Sequence, residues 1–288
     1  FSRNSAATRV NAQGLVENVQ ILSSNLVQNG DFSEEGVQEI SNGSFSQEGV
    51  ELVTNGDFSN GSTGWILDTG WSVSNEKLNA ISVNSTSAIT ASFPFVGNSF
   101  KVTYTISDYS QGEVRLFLGG VEQTLDRSEN GTFTEYITIT SGNTTLYVQG
   151  VNDFTGSIDN VSVREVGQDW TLGGEVTIGD NLAHFESNTN TYSYIRQDIS
   201  SLTTKTYKIQ LEVKNYVSGA VQVAFSGASP IAQNLNVSTD GVYTAYLTPN
   251  ANGDDFEVSR EFNGGNFNFD ITNISVKEVG QNWSVKDY

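Results

Sequence analysis

The chain contains no cysteine and no methionine, only three prolines and a single histidine among 288 residues. Lacking cysteine, it has no disulfide, no thiolate metal site and no thiol nucleophile. The one histidine, His184, shares a strand face with Leu182 in Leu182-Ala183-His184-Phe185. A lone strand histidine reads as structural, and neither a Ser/His/Asp triad nor a zinc triad can be assembled around it. Basic residues number 14 against 33 acidic ones, a net charge of −19. So few cations cannot neutralise a phosphate backbone, which argues against nucleic acid and equally against anionic membranes. No apolar run approaches the length of a membrane span. The chain does not begin with methionine, so a processed product or a piece of a longer one is expected; a removed signal peptide would leave such a start.

What remains is polar without being charged. Charged residues make up 16% and hydrophobic ones 36%, so the surface is Asn, Ser, Thr, Gln and Gly, a balance typical of extracellular β-proteins. No segment sustains a 3.6-residue apolar period, so little helix is expected. One phrase occurs twice, Val163-Arg164-Glu165-Val166-Gly167-Gln168-Asp169-Trp170 and Val276-Lys277-Glu278-Val279-Gly280-Gln281-Asn282-Trp283, 113 residues apart. A period that long marks a repeated domain. Each copy closes a series of short alternating segments. In one of them Phe100, Val102, Tyr104 and Ile106 face one way and Lys101, Thr103, Thr105 and Ser107 the other.

These patterns predict an all-β chain of two tandem jelly-roll β-sandwiches. Module 1 spans 51–166 and module 2 spans 167–288, ending in a short tail. Tyr109 and Tyr216 match at an offset of 107, and Gly131–Tyr136 matches Gly241–Tyr246 at 110. Such drift is what insertions confined to loops produce. The chain stops within five residues of Trp283, where a third module would begin; it either continues or ends in a docking strand. Residues 1–50 read as an extended arm. Phe32, Phe45 and Phe58 each sit in an Asn-Gly-Asp/Ser-Phe-Ser phrase, 13 residues apart. A 13-residue unit cannot bury its apolar residues alone, so it must lie on something else. Upstream, Val19 and Ile21 alternate with Asn18 and Gln20, as in a half-buried strand.

Asn55-Gly56-Asp57-Phe58, followed by Gly64-Trp65 and closing on Ser157-Ile158-Asp159-Asn160-Val161-Ser162-Val163, resembles the jelly-roll carbohydrate-binding modules of bacterial glycan-degrading enzymes. The resemblance implies a structural calcium in module 1, tying the opening phrase to the closing strand through Asp57 and Asp159. Ser59 stands where that family usually carries Glu. Thr272 stands opposite Asp159, and module 2 lacks the Asn-Gly-Asp-Phe opening, so no equivalent calcium is expected there. Residues 1–17 resemble a phrase found in bacteriophage virion and tail-fibre proteins, which implies a particle or fibre context.

Trp71, Trp170 and Trp283 recur where the modules begin and read as core anchors, whereas Trp65, Tyr109 and Tyr216 are candidate glycan contacts. Asp153 and Asp254-Asp255 read as solvated acidic turns. No carboxylate pair stands out for glycoside hydrolysis, so the chain is not expected to be an enzyme. Two functions from different classes follow. The first is a structural subunit of an extracellular or virion-associated fibre. Its arm, through Val19, Ile21, Phe32 and Phe45, would pair with the sandwich of a neighbouring copy. Like-charged subunits repel, so calcium or raised salt would strengthen such a polymer. The alternative is a glycan-binding adhesin or tail-fibre segment whose partner is a polysaccharide.

Overall fold

The computed structural model describes residues 8–10, 12–18, 29–31, 33–92, 99–118, 121–122, 125–139, 145–189, 191–227, 230–260 and 265–281. Within them every regular element is a strand. The arm holds β1 (Thr8–Val10), β2 (Val16–Asn18) and β3 (Glu35–Gln38). Module 1 holds β4 (Trp65–Leu67), β5 (Trp71–Ser74), β6 (Lys77–Val83), β7 (Thr86–Ser92), β8 (Ser99–Leu118), β9 (Val121–Glu122), β10 (Gly131–Thr138) and β11 (Thr145–Val166). Module 2 holds β12 (Thr171–Gly173), β13 (Val176–Gly179), β14 (Leu182–Ser187), β15 (Tyr194–Gln197) and β16 (Thr206–Ser218). It continues through β17 (Val221–Ser226), β18 (Ile231–Leu235), β19 (Gly241–Leu247), β20 (Asp255–Arg260) and β21 (Phe267–Val279).

Both modules are antiparallel sandwiches of one design. In module 2 the two layers are separate sheets, β13-β14-β21-β16-β19 and β12-β15-β20-β17-β18. In module 1, β8 and β11 run unbroken through both layers and join them into one network. Their register slips between Val151 and Thr155, where the paired strands bend from one layer into the other. Strand alternation then fills the interior. Phe100, Val102 and Tyr104 are fully buried, and Ile106 is 2% exposed. Each module has its own core, one built around Leu78, Val102 and Ile158, the other around Phe185, Ile209 and Phe269.

The arm's repeated phrase closes these sandwiches. Asn42 and Asn55 both have positive φ, 46° and 58°, a conformation Asn tolerates better than most residues. Their Oδ1 atoms accept the amides of Gln47 and Asn60 at 3.2 and 2.9 Å, five residues on. The glycine that follows lets two backbones touch. A Cβ on Gly43 would lie 2.2 Å from the Ile274 carbonyl oxygen, and one on Gly56 1.8 Å from that of Val161. Ile274 and Val161 donate their amides back to Gly43 and Gly56, each at 2.9 Å. The phenylalanine then turns inward: Phe45 and Phe58 are each 1% exposed.

These contacts correct the reading of the arm. Phe45 lies in the core of module 2, 5.5 Å from Trp170, whose indole donates to the Asn42 carbonyl at 3.0 Å. Phe58 lies in the core of module 1, 5.1 Å from Trp65, whose indole donates to the Asn55 carbonyl at 3.2 Å. Module 2 therefore has its opening phrase after all, supplied from far upstream, and Phe45 is not free for a neighbouring copy. Residues 33–50 divide between the two sandwiches rather than standing apart. β3 extends the sheet of module 2 beside the end of β21, and Glu48 bridges to Val166. Val19, Ile21 and Phe32 lie outside the described residues. Trp283 does too, and the structural counterpart of Trp170 is Trp65 rather than Trp71.

The modules meet at a joint. β11 leaves module 1 at Val166, already part of the second core, and turns at Gly167 (φ 72°). The β13–β14 hairpin then folds back under module 1. Its Gly179 presses on the Tyr136 ring, 2.9 Å from where a Cβ would stand. Burial pushes the Tyr136 hydroxyl above its ordinary pKa. Lys101, bonded to Glu48 at 2.7 Å, is held charged mainly by that bond, with a smaller contribution from Asp180 in the hairpin turn.

Candidate functional site

Trp65 is only 6% exposed, with its indole nitrogen committed to a carbonyl, so its ring is a core anchor and not a ligand platform. Tyr109 and Tyr216 occupy matching positions, as their sequences suggested. Their hydroxyls donate to Gly112 O at 3.0 Å and Gly219 O at 2.9 Å, and their rings pack against the two cores. Both brace the bends of long strands. Asp57 Oδ1 accepts from the Ser59 amide at 3.2 Å, and Asp159 Oδ1 from the Asn160 amide at 2.7 Å. The opening phrase and closing strand do meet, through the Val161–Gly56 backbone bond. Among the described residues, however, no group of three or more His, Asp or Glu side chains could hold a metal. Asp254, read as a solvated turn, is 3% exposed and hence buried.

His184 has partners the sequence did not reveal. Its Nδ1 lies 2.7 Å from Asp270 Oδ1 and its Nε2 lies 3.1 Å from the Gly179 carbonyl. Asn215 donates to the other Asp270 oxygen at 2.6 Å. Its Asp270 bond, against the opposing effect of burial, raises the imidazole pKa above 6.5.

Apolar side chains line up elsewhere, on the outer face of the layer of module 1 that holds β4 and β7. In module 1, Ala88, Leu116, Leu118, Leu146 and Val148 point into the core. Their neighbours point out, and registration lines them up. Ile66 pairs with Ile89, Ile89 with Tyr147, and Tyr147 with Phe117. The row crosses four strands, about 14 Å at about 4.8 Å per strand. Ile66 is 68% exposed, and the other three are half-buried. Beside it Gln149 pairs with Arg115, whose guanidinium holds Asp126 at 2.9 Å. A flat apolar strip bordered by hydrogen-bonding side chains results.

Module 2 places different chemistry on the same row. The equivalent partners are Thr171, Arg196, Glu257 and Ala224. Glu257 is 2% exposed and accepts from Arg196 at 2.6 and 3.1 Å and from the Tyr192 hydroxyl. Burial, then the bond to Glu257, pushes the Tyr192 pKa up to about 12. The Arg196 guanidinium lies 4.6 Å over the Tyr194 ring. That ring lies across Gly173, where a Cβ would come within 2.2 Å of it. One row is apolar and partly exposed; the other is tied into an ion pair.

None of these row residues stood out in the sequence. The signal was present, because Phe117 and Tyr147 alternate with the core residues Leu116, Leu118, Leu146 and Val148. Choosing between two faces of a strand requires knowing which face the partner layer covers.

No protein-family model and no curated relative matches the chain. Solved structures do resemble it. The N-terminal CBM22-1–CBM22-2 tandem domain of Paenibacillus barcinonensis Xyn10C is 11% identical at a TM-score of 0.36, covering 81% of this chain and 99% of that one. Allantoicase from Saccharomyces cerevisiae is 8% identical at 0.33, covering 88% and 98%. The tandem CBM51 modules of a family 98 glycoside hydrolase from Streptococcus pneumoniae are 8% identical at 0.25, covering 85% and 96%. Likeness at this level concerns architecture and transfers neither a ligand nor a reaction.

Proposed function

We propose that the chain is a tandem-module polysaccharide-binding protein that works outside the cell or on a virion surface, with its principal site on the outer row of module 1. The observation behind this is the registered strip Ile66–Ile89–Tyr147–Phe117 with Arg115 and Gln149 alongside. The C–H faces of pyranose rings stack on such aromatic and aliphatic surfaces, while the bordering amide and guanidinium groups meet hydroxyls. A cross-strand strip suits an extended chain of several sugars better than a single one. An acidic surface with little positive charge, −19 overall, fits a neutral or cationic glycan better than a polyanion.

Binding to a panel of soluble and insoluble polysaccharides tests this. Phe117→Ala with Tyr147→Ala should weaken binding at least tenfold while leaving the far-UV circular dichroism unchanged. Unaltered binding in that double variant, or no binding by the wild type across the panel, rejects the site. Tyr109→Ala and Tyr216→Ala should leave glycan affinity alone.

A further inference from the structure

The joint between the two modules has two halves, and among the described residues each half recurs on the other module without such a cover. The receiving half on module 1 is Tyr136 on β10, paired across to Lys101 on β8, with Lys101 bonded to Glu48 at 2.7 Å. The same positions in module 2 are Tyr246 on β19, paired across to Lys208 on β16, with Lys208 bonded to Glu35 at 2.6 Å. The arm repeats the match: Asn42 donates to the Gln168 carbonyl at 3.2 Å, and Asn29 to the Gln281 carbonyl at 3.4 Å. Only the covering differs. Tyr136 lies under the β13–β14 hairpin, whereas Tyr246 is 57% exposed.

The inserting half is equally duplicated. The hairpin that covers Tyr136 turns through Asp180 and Asn181, with φ of 50° and 62°. Its counterpart in module 1, β5–β6, turns through Asn75 and Glu76, with φ of 54° and 57°. Both are two-residue turns of the type that matches strand twist. Ile178, in the core of module 2 and against Gly167 of the joint, is 1% exposed; Val73, at the same position of the other hairpin, is half-buried against the core of module 1, and Ser74 is exposed.

We infer that a second copy of this chain completes the joint, its β5–β6 hairpin seating on the Tyr246 face of the first. The contact continues an interface already formed within the chain. In this register Asn75 stands where Asp180 does and Glu76 where Asn181 does, so the turn carries its carboxylate one residue along from the Asp180 position, toward a face with Lys208 and Lys277, both bonded to Glu35. Ser74 replaces the Gly179 of the internal joint, so the exposed Tyr246 ring swings aside to admit its Cβ. Because the two halves lie on opposite modules, each copy keeps one half free, and such a contact propagates into a filament instead of closing.

Two variants of the full chain test this by sedimentation velocity. Wild type should gain mass with concentration beyond two chains. Tyr246→Lys, which spoils the receiving half, and Ser74→Lys, which spoils the inserting half, should each remain monomeric and folded. Mixed together they should give a one-to-one dimer and nothing longer, since just one competent pair of halves survives. A wild type that stays monomeric at every concentration overturns the inference and leaves the face to another occupant. Assembly that survives both substitutions overturns it as well, by placing the contact elsewhere.

Discussion

His184 donates through both ring nitrogens only as the imidazolium, because each faces an acceptor, Asp270 Oδ1 and the Gly179 carbonyl. Its folded pKa is raised above 6.5, so the stabilisation is fully present below 6.5 and is lost as pH rises through the higher folded value. Burial alone would raise the Asp270 pKa; the bonds from His184 and Asn215 outweigh it and bring it below 3.8. That contribution is present above 3.8 and lost as pH falls through the folded value. His184→Gln should therefore lower the melting temperature most between those two limits and least in alkaline buffer. Thermal scans across pH measure this, and a pH-independent difference would discard the imidazolium assignment. With the ring one-third exposed, about 1 kcal/mol is at stake. Arg196 is a harsher case. Its loss strands Glu257, 2% exposed, with the Tyr192 hydroxyl as remaining donor, and Arg196→Ala should cost about 2–3 kcal/mol in denaturant titration.

Among elements, the opening phrase Asn-Gly-x-Phe is the most instructive. Its spacing was plain in the sequence, and so was its inability to fold alone. Its destination was not, because Phe45 and the Ile274 strand it meets are separated by most of the chain. Strand alternation identified the inward face of β8 well, since hydrophobic residues at every second position leave one solution. It could not choose the outward row of module 1, where Phe117 and Tyr147 look like further core residues. Trp65 misled for the opposite reason, its Gly-rich surroundings suggesting an exposed turn. The phrase makes a sharp prediction. Phe45→Ala should destabilise module 2 by about 3–5 kcal/mol and leave module 1 intact, and Phe58→Ala the reverse. Calorimetry with fluorescence of Trp170 and Trp65 separates the two transitions; a fall in both from Phe45→Ala alone would show that the modules melt as one.

For the molecule as a whole, the plug of the second sandwich is made long before its socket. Phe45 precedes Ile274, the far wall of its site, by about 230 residues. A ribosome adding about 10 residues per second leaves that phenylalanine waiting about 20 seconds. Module 1 can mature during translation, since its plug and walls all lie within residues 48–166, whereas module 2 can close only as the last strand clears the exit tunnel. Stalled nascent chains should accordingly stay open to protease near residue 45 until β21 has emerged.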